Sequence, residues 1–365
     1  MKIKEIYKYL ESTAPLNFQE NYDNAGLLIG NDETECTGIL ISLDVTEAIV
    51  EEALQKKCNL IVSHHPIIFK GIKKLNGKNY VERTVVSAIK NDIAVYAIHT
   101  NLDNVLDGVN KKIAEKLGLQ NCSTLLPKEQ ILQKLVTFSP VNNADAVRNA
   151  LFQAGAGAIG KYDECSFNIN GSGTFRANEG SQPYVGKIGE SHVENEVRIE
   201  VIFPSFLQKK IIQSLKAAHP YEEVAFYIHA LENVQENIGS GLIGELQEDA
   251  TETQLLNKVK TDFHLSVIKH TPLLNKPVRK IAVCGGAGIF LLNNAMAAGA
   301  QVYITSDIKY HEFFDADAQI LLADIGHYES EQFTTELLAE LLQQKFPNFA
   351  VRKTEMNTNP VTYFM

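Results

Sequence analysis

Short apolar runs alternate with helix-like periodicity in the N-terminal third of the chain. Three runs have the length of buried strands: residues 39–43, 59–63 and 93–98. Three segments have the spacing of amphipathic helices: residues 46–57, 81–91 and 107–117. Thr46 is a suitable N-cap for the first of them. This alternation predicts a mostly parallel sheet with helices on its faces.

The C-terminal part repeats the pattern. The predicted strands are residues 280–284, 301–305 and 319–323. The predicted helices are residues 289–298, 309–315 and 330–344. In open α/β sheets, ligands bind outside the carboxyl ends of the strands. The residues that follow these apolar runs are therefore the first place to look for a site.

The middle of the chain is richer in Asn, Gly and Ser. Its predicted order is strand, helix, two strands, strand, helix, strand: residues 135–138, 144–154, 164–169 with 173–177, 197–203, 205–218 and 224–230. That order suits an α+β ferredoxin-like unit, which can fold alone and be inserted at a surface loop. We therefore predict an α/β core domain from residues 1–125 and 237–365, and an inserted domain from residues 126–236.

Composition and charge narrow the classes of protein. The 365 residues suggest about two domains. A net charge of −10 makes nucleic acid and anionic membrane surfaces unlikely as main partners. The first ten residues lack the apolar run and cleavage site expected of a signal peptide, and no stretch approaches the ~18 apolar residues that a membrane span needs. Five scattered cysteines without a CxxC pair predict reduced thiols and a cytoplasmic location.

Histidines and carboxylates follow several of the predicted strands. His64 and His65 close the strand 59–63 and are followed by Pro66. Neighbouring side chains at a strand end point to opposite faces, so the two imidazoles can diverge toward two metal ions. The alternative is a polar pair at the mouth of a loop. Further ligand-type residues elsewhere in the chain favour metal binding over the polar pair.

Two more pairs have ligand spacing. Asp103 lies four residues after His99, where a carboxylate can bridge cations and the imidazole can be a ligand, an outer hydrogen-bond donor or a proton shuttle. Asp103 could equally be a turn residue. His327 and Glu331 are spaced i, i+4 and share one face if a helix begins there. The alternative for Glu331 is a carboxylate that caps the helix.

Three other motifs are weaker. Asp307 and His311 repeat the i, i+4 spacing, and we expect His311 to lie behind the ligands or to face substrate. The turn Gly285–Gly288 could hold a phosphate at a helix N-terminus, but Leu291 replaces the third glycine of the dinucleotide fingerprint and favours a close-packed turn. Residues 219–223, His-Pro-Tyr-Glu-Glu, could have a metal-binding or regulatory role, but a helix that stops at Pro220 with exposed carboxylates explains them.

Taken together, six segments resemble the Nif-three-like family of dinuclear-metal hexamers, whose members are often labelled GTP cyclohydrolase I type 2 homologs. These segments are residues 22–30, 63–66, 99–103, 284–288, 305–311 and 326–331. The middle of the chain is similar to the PII/CutA-type ferredoxin-like domain inserted in longer bacterial members. Residues 219–223 resemble the hallmark of that insert.

The resemblance implies a dinuclear centre. By position, His65 and Asp103 bind one divalent ion, His64 and His327 bind the other, and Glu331 bridges the two. Zinc is the first expectation for both ions, with iron or manganese as alternatives.

The resemblance also implies an assembly and an activity. The subunits form a toroidal homohexamer and bind a small anionic or nucleotide-like ligand. The activity is metal-dependent hydrolysis, which would open the purine ring of GTP if the label describes the chemistry. His99 is the candidate proton shuttle and His311 the candidate substrate contact. The alternative function is a non-catalytic metal-binding or regulatory ring, with the insert as a small-molecule sensor.

Overall fold

The computed structural model describes residues 1–364. Strands and helices occur along the whole of this range. The strands are β1 (Gly26–Ile29), β2 (Ile39–Ser42), β3 (Leu60–Ser63), β4 (Ala94–Ala97), β5 (Gln120–Lys128), β6 (Leu132–Pro140), β7 (Phe167–Arg176), β8 (Ser191–Pro204), β9 (Phe226–Ala230), β10 (Gln235–Thr251), β11 (Lys269–His270), β12 (Pro277–Val283), β13 (Val302–Thr305), β14 (Leu321–Asp324) and β15 (Val351–Lys353). The mixed α/β class predicted from the sequence is confirmed.

Most of the α-helices overlap predicted helical segments. The predicted helix 309–315 is a short 3₁₀-helix (Tyr310–Ala316), and the helices Thr100–Asp103 and Glu252–Asp262 were not predicted. The α-helices are α1 (Ile3–Thr13), α2 (Glu47–Gln55), α3 (Tyr80–Lys90), α4 (Thr100–Asp103), α5 (Val109–Leu117), α6 (Ala144–Ala154), α7 (Gln208–Ala218), α8 (Glu252–Asp262), α9 (Leu292–Ala297), α10 (His327–Glu331) and α11 (Thr334–Lys345). Thr46 is the N-cap of α2, where its side chain accepts a hydrogen bond from the Ile49 amide. Within residues 1–364, no helix has both the length and the apolar character needed to cross a bilayer.

The chain divides into two compact units. One comprises Met1–Pro127 and Glu236–Met365, and the other comprises Lys128–Gln235. We call the first the core unit and the second the inserted unit. Both ends of the polypeptide therefore belong to the same unit, and the inserted unit is built from one continuous segment.

The core unit contains two sheets. Sheet A has the order β1-β4-β3-β2-β15, with β1 antiparallel to β4 and the other neighbours parallel. Sheet B has the order β11-β14-β13-β12-β10-β5, with a parallel centre of β12, β13 and β14. β11 and β10 flank that centre as antiparallel strands. The sequence predicts a mostly parallel sheet from the N-terminal third and the same pattern again near the C-terminus, and two sheets are present. Each takes an edge strand from the other end of the core unit, β15 in sheet A and β5 in sheet B.

The alternation of side chains along each strand explains how the sheets share one core. Ile39 and Ile41 of β2 pack into a cluster that also receives Ile281 and Val283 of β12. Leu40, which points to the opposite face, packs instead under α2 and α3. Successive side chains of a strand face opposite ways, so each sheet is buried on both faces. This burial accounts for the nearly unbroken apolar runs in the sequence.

The inserted unit has the connectivity β6-α6-β7-β8-α7-β9 and the sheet order β7-β8-β6-β9. All three pairings are antiparallel, and α6 and α7 cover one face around Val147, Leu151 and Leu215. This is the ferredoxin-like arrangement that the order of elements predicts. A closer relation to the PII and CutA proteins stays a prediction.

Two details of the sequence prediction were wrong. The sequence predicts two strands, residues 164–169 and 173–177, but β7 runs unbroken through Gly171 and Gly173. A Cβ atom at Gly173 would lie 2.1 Å from Glu196 Oε2, so glycine there makes room for a neighbouring side chain rather than a turn. The predicted helix 330–344 is instead α10 followed by α11.

Candidate metal centre

The candidate ligands lie beyond the carboxyl ends of parallel strands in both sheets of the core unit. His64 and His65 follow β3, and His99 precedes α4 directly after β4. On the other sheet, β14 ends at Asp324, and Gly326 with φ of 90° turns the chain into α10, which begins at His327. This short helix carries His327 and Glu331 on one face, as their i, i+4 spacing predicts.

Four histidines are oriented in the same way. Each Nδ1 donates to an oxygen: His64 to the carbonyl of Ile98 at 2.9 Å, His65 to Asp44 at 2.8 Å, His99 to Asp23 at 2.8 Å and His327 to Asp307 at 2.7 Å. Such a bond fixes the ring and leaves Nε2 as the atom that can bind a cation. The three aspartates were not recognised as supports from the sequence, because each is distant along the chain from its histidine.

Glu331 is the centre of the cluster. Its Oε2 lies 2.9 Å from His65 Nε2 and 3.2 Å from His327 Nε2. Its Oε1 lies 3.8 Å from His64 Nε2, which is itself 3.6 Å from Asp103 Oδ1. The side chain is almost fully buried, at 3% exposure. Each oxygen of this carboxylate therefore faces a different set of donors.

Three groups of donor atoms are compact enough to hold a metal ion. They are His64–Asp103–Glu331, His65–His327–Glu331 and His64–His65–His99, each with its atoms within 4.8 Å of one another. The first two differ from the pairing that the resemblance implied, because His64 rather than His65 lies beside Asp103. The three groups together contain six residues, which are the five predicted ligands and His99, and they come from both ends of the chain.

The donor set fits a cation because two buried atoms have no other partner. His64 Nε2 and Asp103 Oδ1 are both inaccessible to solvent and make no hydrogen bond. A buried polar atom without a partner costs roughly 1–3 kcal/mol. A metal ion would satisfy both atoms at once, since imidazole nitrogen and carboxylate oxygen are common ligands of divalent cations.

The pKa values in the metal-free cluster show strong coupling between neighbouring charges. Burial opposes ionisation of Glu331, but hydrogen bonds from the surrounding imidazoles outweigh it and hold its pKa well below the usual range. Burial also disfavours charge on His65 and His327, yet their carboxylate partners raise the pKa of His65 to about 9 and of His327 to about 11. Burial and the charge of Glu331 raise the pKa of Asp103 well above its usual value.

The glycine turn after β12 packs against this cluster. Gly286 has φ of +63°, and a Cβ atom there would lie 2.4 Å from Glu331 Oε1. The Gly286 amide donates to Ser330 Oγ at 3.0 Å, and the Gly288 amide donates to Thr305 Oγ1 at 2.9 Å. These bonds support a close-packed turn rather than a phosphate loop.

A cavity of about 380 Å³ opens onto the cluster. His65, His99, His327, Asp103 and Glu331 line it on the side of the donors. His311 is not among its lining residues. That side chain is exposed and contacts the rings of Tyr310 and Phe314 instead. The neighbouring Asp307 reaches the cluster in its place, through His327.

The fold and the cluster define an α/β protein whose core unit has two sheets, with nitrogen and oxygen donors that could hold metal ions. Residues 1–360 match the profile of the family Duf34/NIF3 (NGG1p interacting factor 3), and the chain belongs to this family.

Named relatives and a solved structure agree with that assignment. The chain is 36% identical over 363 residues to the GTP cyclohydrolase 1 type 2 homolog of Halalkalibacterium halodurans, covering 98% of each. It is 34% identical over 365 residues to the protein of the same name in Bacillus subtilis, covering 99% of this chain and 98% of the relative. The crystal structure of a Bacillus cereus protein related to NIF3 is similar with a TM-score of 0.86 and 38% identity, covering 100% of this chain and 99% of that one.

Proposed function

We propose that this protein holds two divalent metal ions and acts as a metal-dependent hydrolase on a small nucleotide-like substrate. The observation that carries the proposal is the position of Glu331 between two donor sets, with Oε1 toward His64 and Oε2 toward His65 and His327. A carboxylate in that position suits a bridge between two cations. His64 with Asp103 would hold one ion, and His65 with His327 would hold the other.

The ions would supply the electrophilic part of the chemistry. A pair of divalent cations lowers the pKa of bound water toward neutrality and polarises the group under attack. Zinc is the first choice for the mixed imidazole and carboxylate set, with iron or manganese as alternatives. The chain itself positions the donors through Asp44 and Asp307, which fix the rings of His65 and His327.

His99 is suited to move a proton at this site. Its Nδ1 donates to Asp23, and its ring centroid lies 5.2 Å from that of His64 and 5.4 Å from that of His65. The ring also lines the cavity, so its Nε2 is available to a reacting group there. A general acid or base must reach the proton it transfers, and this placement meets that requirement.

The test is elemental analysis and turnover of three proteins side by side. Wild type should retain about two transition metals per chain, and Glu331→Gln should lose most of both, because a bridging ligand serves both ions. Glu329→Gln is the matched control, since Glu329 lies on the same helix and binds Asn359 rather than a histidine. Metal-dependent hydrolysis of any one of guanosine, GTP and a phosphoester by wild type and the control, but not by Glu331→Gln, supports the proposal. Hydrolysis of none of the three by metal-loaded wild type contradicts it.

The resemblance also leads us to propose a toroidal homohexamer in the cytoplasm. The five cysteines of each chain are all free thiols, as expected for a reducing compartment. Native mass spectrometry of the metal-loaded protein should give six subunits. A monomer or dimer at micromolar concentration would contradict the assembly without affecting the metal site.

A cavity in the inserted unit supports a second candidate function, a non-catalytic metal-binding ring with a small-molecule sensor. This cavity has a volume of about 710 Å³, and Gly171, Phe175 and Tyr184 are among its lining residues. Within it, Tyr221 donates to the buried Glu196 at 3.0 Å. A Cβ atom at Gly171 would meet nothing within 4 Å, so Gly171→Val fills the cavity without a clash. Loss of a ligand-induced rise in melting temperature in this variant, without turnover in wild type, would favour the sensor.

A further inference from the structure

Three aromatic rings stand exposed around the cavity of the candidate metal centre. Tyr22, Phe69 and Phe290 are 65%, 43% and 61% exposed, and all three line the cavity. The rings of Tyr22 and Phe69 lie 6.3 Å apart, and Phe69 also lies 6.0 Å from the ring of His99. Exposing large aromatic rings to water is unfavourable, but such rings offer flat surfaces on which another ring can stack.

The charged residues around the same cavity are acidic or are histidines. Among residues 1–364, no lysine or arginine lines it, whereas Glu20, Asp103 and Glu331 do. Proteins usually recognise phosphate groups with arginine, lysine or free backbone amides at a helix N-terminus. The cavity therefore lacks the side chains that a polyphosphate needs.

The backbone amides of the glycine turn do not supply the missing donors. The Gly285 amide donates to Asn110 Oδ1 at 2.9 Å, and the amides of Gly286 and Gly288 donate to side-chain hydroxyls. A phosphate at this turn would have to break hydrogen bonds that hold the turn against Glu331. Three of the four amides in this turn are therefore already occupied, although its sequence is rich in glycine.

Bound metal ions would not make the site strongly positive. Six carboxylates line the cavity or contact its histidines: Glu20, Asp23, Asp44, Asp103, Asp307 and Glu331. Two divalent cations carry fewer positive charges than these six groups carry negative ones. The loaded site therefore has no excess positive charge to attract a triphosphate, since a field of opposite sign is what draws a charged ligand.

We propose that the substrate is a flat heteroaromatic molecule with little or no negative charge, such as a nucleoside or a free base, rather than a nucleoside triphosphate. Its ring stacks on Phe69 and Tyr22, and its reacting group faces the donors of the metal centre. This inference rests on the proposed function for the identity of that centre. It adds the class of molecule that the cavity selects.

Binding of guanosine and GTP to metal-loaded protein tests the proposal. Calorimetric titration should show guanosine binding at least about tenfold more tightly than GTP, because the ring contacts are common to both and the phosphates are repelled. GTP also chelates divalent ions, so metal content is measured after each titration. Equal metal content in both samples ensures that weak GTP binding is not caused by loss of the ions.

One substitution and its control test where the ring of the bound molecule lies, and a third substitution tests the effect of charge. Phe69→Ala should weaken guanosine binding about tenfold, the usual effect of removing one stacked aromatic side chain. Tyr80→Ala is the matched control, because Tyr80 is also an exposed ring, at 58%, but does not line the cavity. Ala287→Lys places a cation at the exposed rim of the cavity and should raise the ratio of GTP affinity to guanosine affinity.

The outcomes separate this inference from the proposed function. GTP binding tighter than guanosine, with no effect of Phe69→Ala, overturns the proposed substrate class and leaves the metal centre intact. Guanosine that stacks on Phe69 equally well in metal-loaded and metal-free protein, without any turnover, supports the ring site and contradicts the hydrolase. Failure of guanosine to bind metal-loaded protein at millimolar concentration also overturns the proposed class.

Discussion

At the scale of single residues, the oxygen atoms that accept hydrogen bonds from the histidine Nδ1 atoms determine what the cluster can bind. Asp44 and Asp307 each hold a histidine by Nδ1, and the Ile98 carbonyl does the same for the buried His64. These bonds select the tautomer whose Nε2 carries the lone pair when the ring is neutral. The cluster is therefore arranged for cations before any ion arrives.

Asp307→Asn should weaken metal binding about 10- to 100-fold, because the amide is a poorer acceptor and no longer fixes the ring of His327. Competition with a chromogenic chelator measures the change. Asp315→Asn is the control, since Asp315 is an exposed carboxylate from the same connection between β13 and β14. Equal affinities for the two variants would show that Asp307 does not support the metal.

Metal binding should release about two or more protons per chain at pH 7.5. With pKa values of about 9 and 11, His65 and His327 are protonated in the metal-free protein at this pH and must become neutral to bind ions. Affinity should therefore rise with pH through this range and fall as the solution becomes acidic. Calorimetry in buffers of different ionisation enthalpy counts the protons, and a count near zero would contradict these charge states.

The sequence predicts which residues are candidate donors but not their arrangement, and their binding of metal stays a prediction. His64 and His65 follow a short apolar run, whereas Asp103 was selected by its spacing from His99 and by the resemblance. Their grouping depends on the turn of α4, which places Asp103 beside His64, and residue spacing does not determine that turn. The lack of cationic side chains in the cavity also appears only when distant segments are assembled.

At the scale of elements, the turn between β12 and α9 packs against α10, and the size of its side chains limits how closely the two can approach. Gly286 lies in the left-handed region and touches Glu331, so the turn and α10 fit only because a side chain is absent. The sequence favours a close-packed turn here. It could not show which residue the turn packs against, because Glu331 is 45 positions further along the chain.

Gly286→Ala should reduce metal content and destabilise the protein by more than Gly299→Ala. Both glycines have positive φ, of +63° and +76°, so each alanine has the cost of a left-handed residue, about 1–2 kcal/mol. Only at Gly286 would the new methyl group also meet Glu331, whereas nothing lies within 4 Å at Gly299. Denaturant unfolding and elemental analysis of both variants give the comparison. Equal metal content would refute the contact.

The boundaries of elements were less predictable than their existence. The sequence predicts two strands where β7 is a single one, and Gly173 leaves space for Glu196 beside this extended strand. Edge strands such as β11 and β15 are too short to produce an apolar pattern. Pairing with a neighbouring strand creates them, and pairing partners are remote in sequence.

At the scale of the whole molecule, the continuous inserted segment separates the two halves of one core unit. Its own hydrophobic core contains Leu151 and Leu215, both fully buried, and residues of that segment alone. The candidate ligands all belong to the core unit. The two units can therefore be perturbed separately.

Leu151→Ala should destabilise the inserted unit by about 2–5 kcal/mol, the usual cost of a cavity left by a buried leucine. The metal content of the protein should remain at the wild-type level, because every donor lies outside that segment. Differential scanning calorimetry detects the unfolding of the unit, and elemental analysis follows the metal. Loss of metal in this variant would show that the site depends on the insert.

The most direct test of the dinuclear centre is anomalous diffraction from crystals grown with zinc and recorded at the zinc absorption edge. Two strong peaks are expected roughly 3–4 Å apart, one on each side of the Glu331 carboxylate. His64 and Asp103 should lie at one peak, and His65 and His327 at the other. A single peak, or two that both lie away from Glu331, would contradict the dinuclear centre.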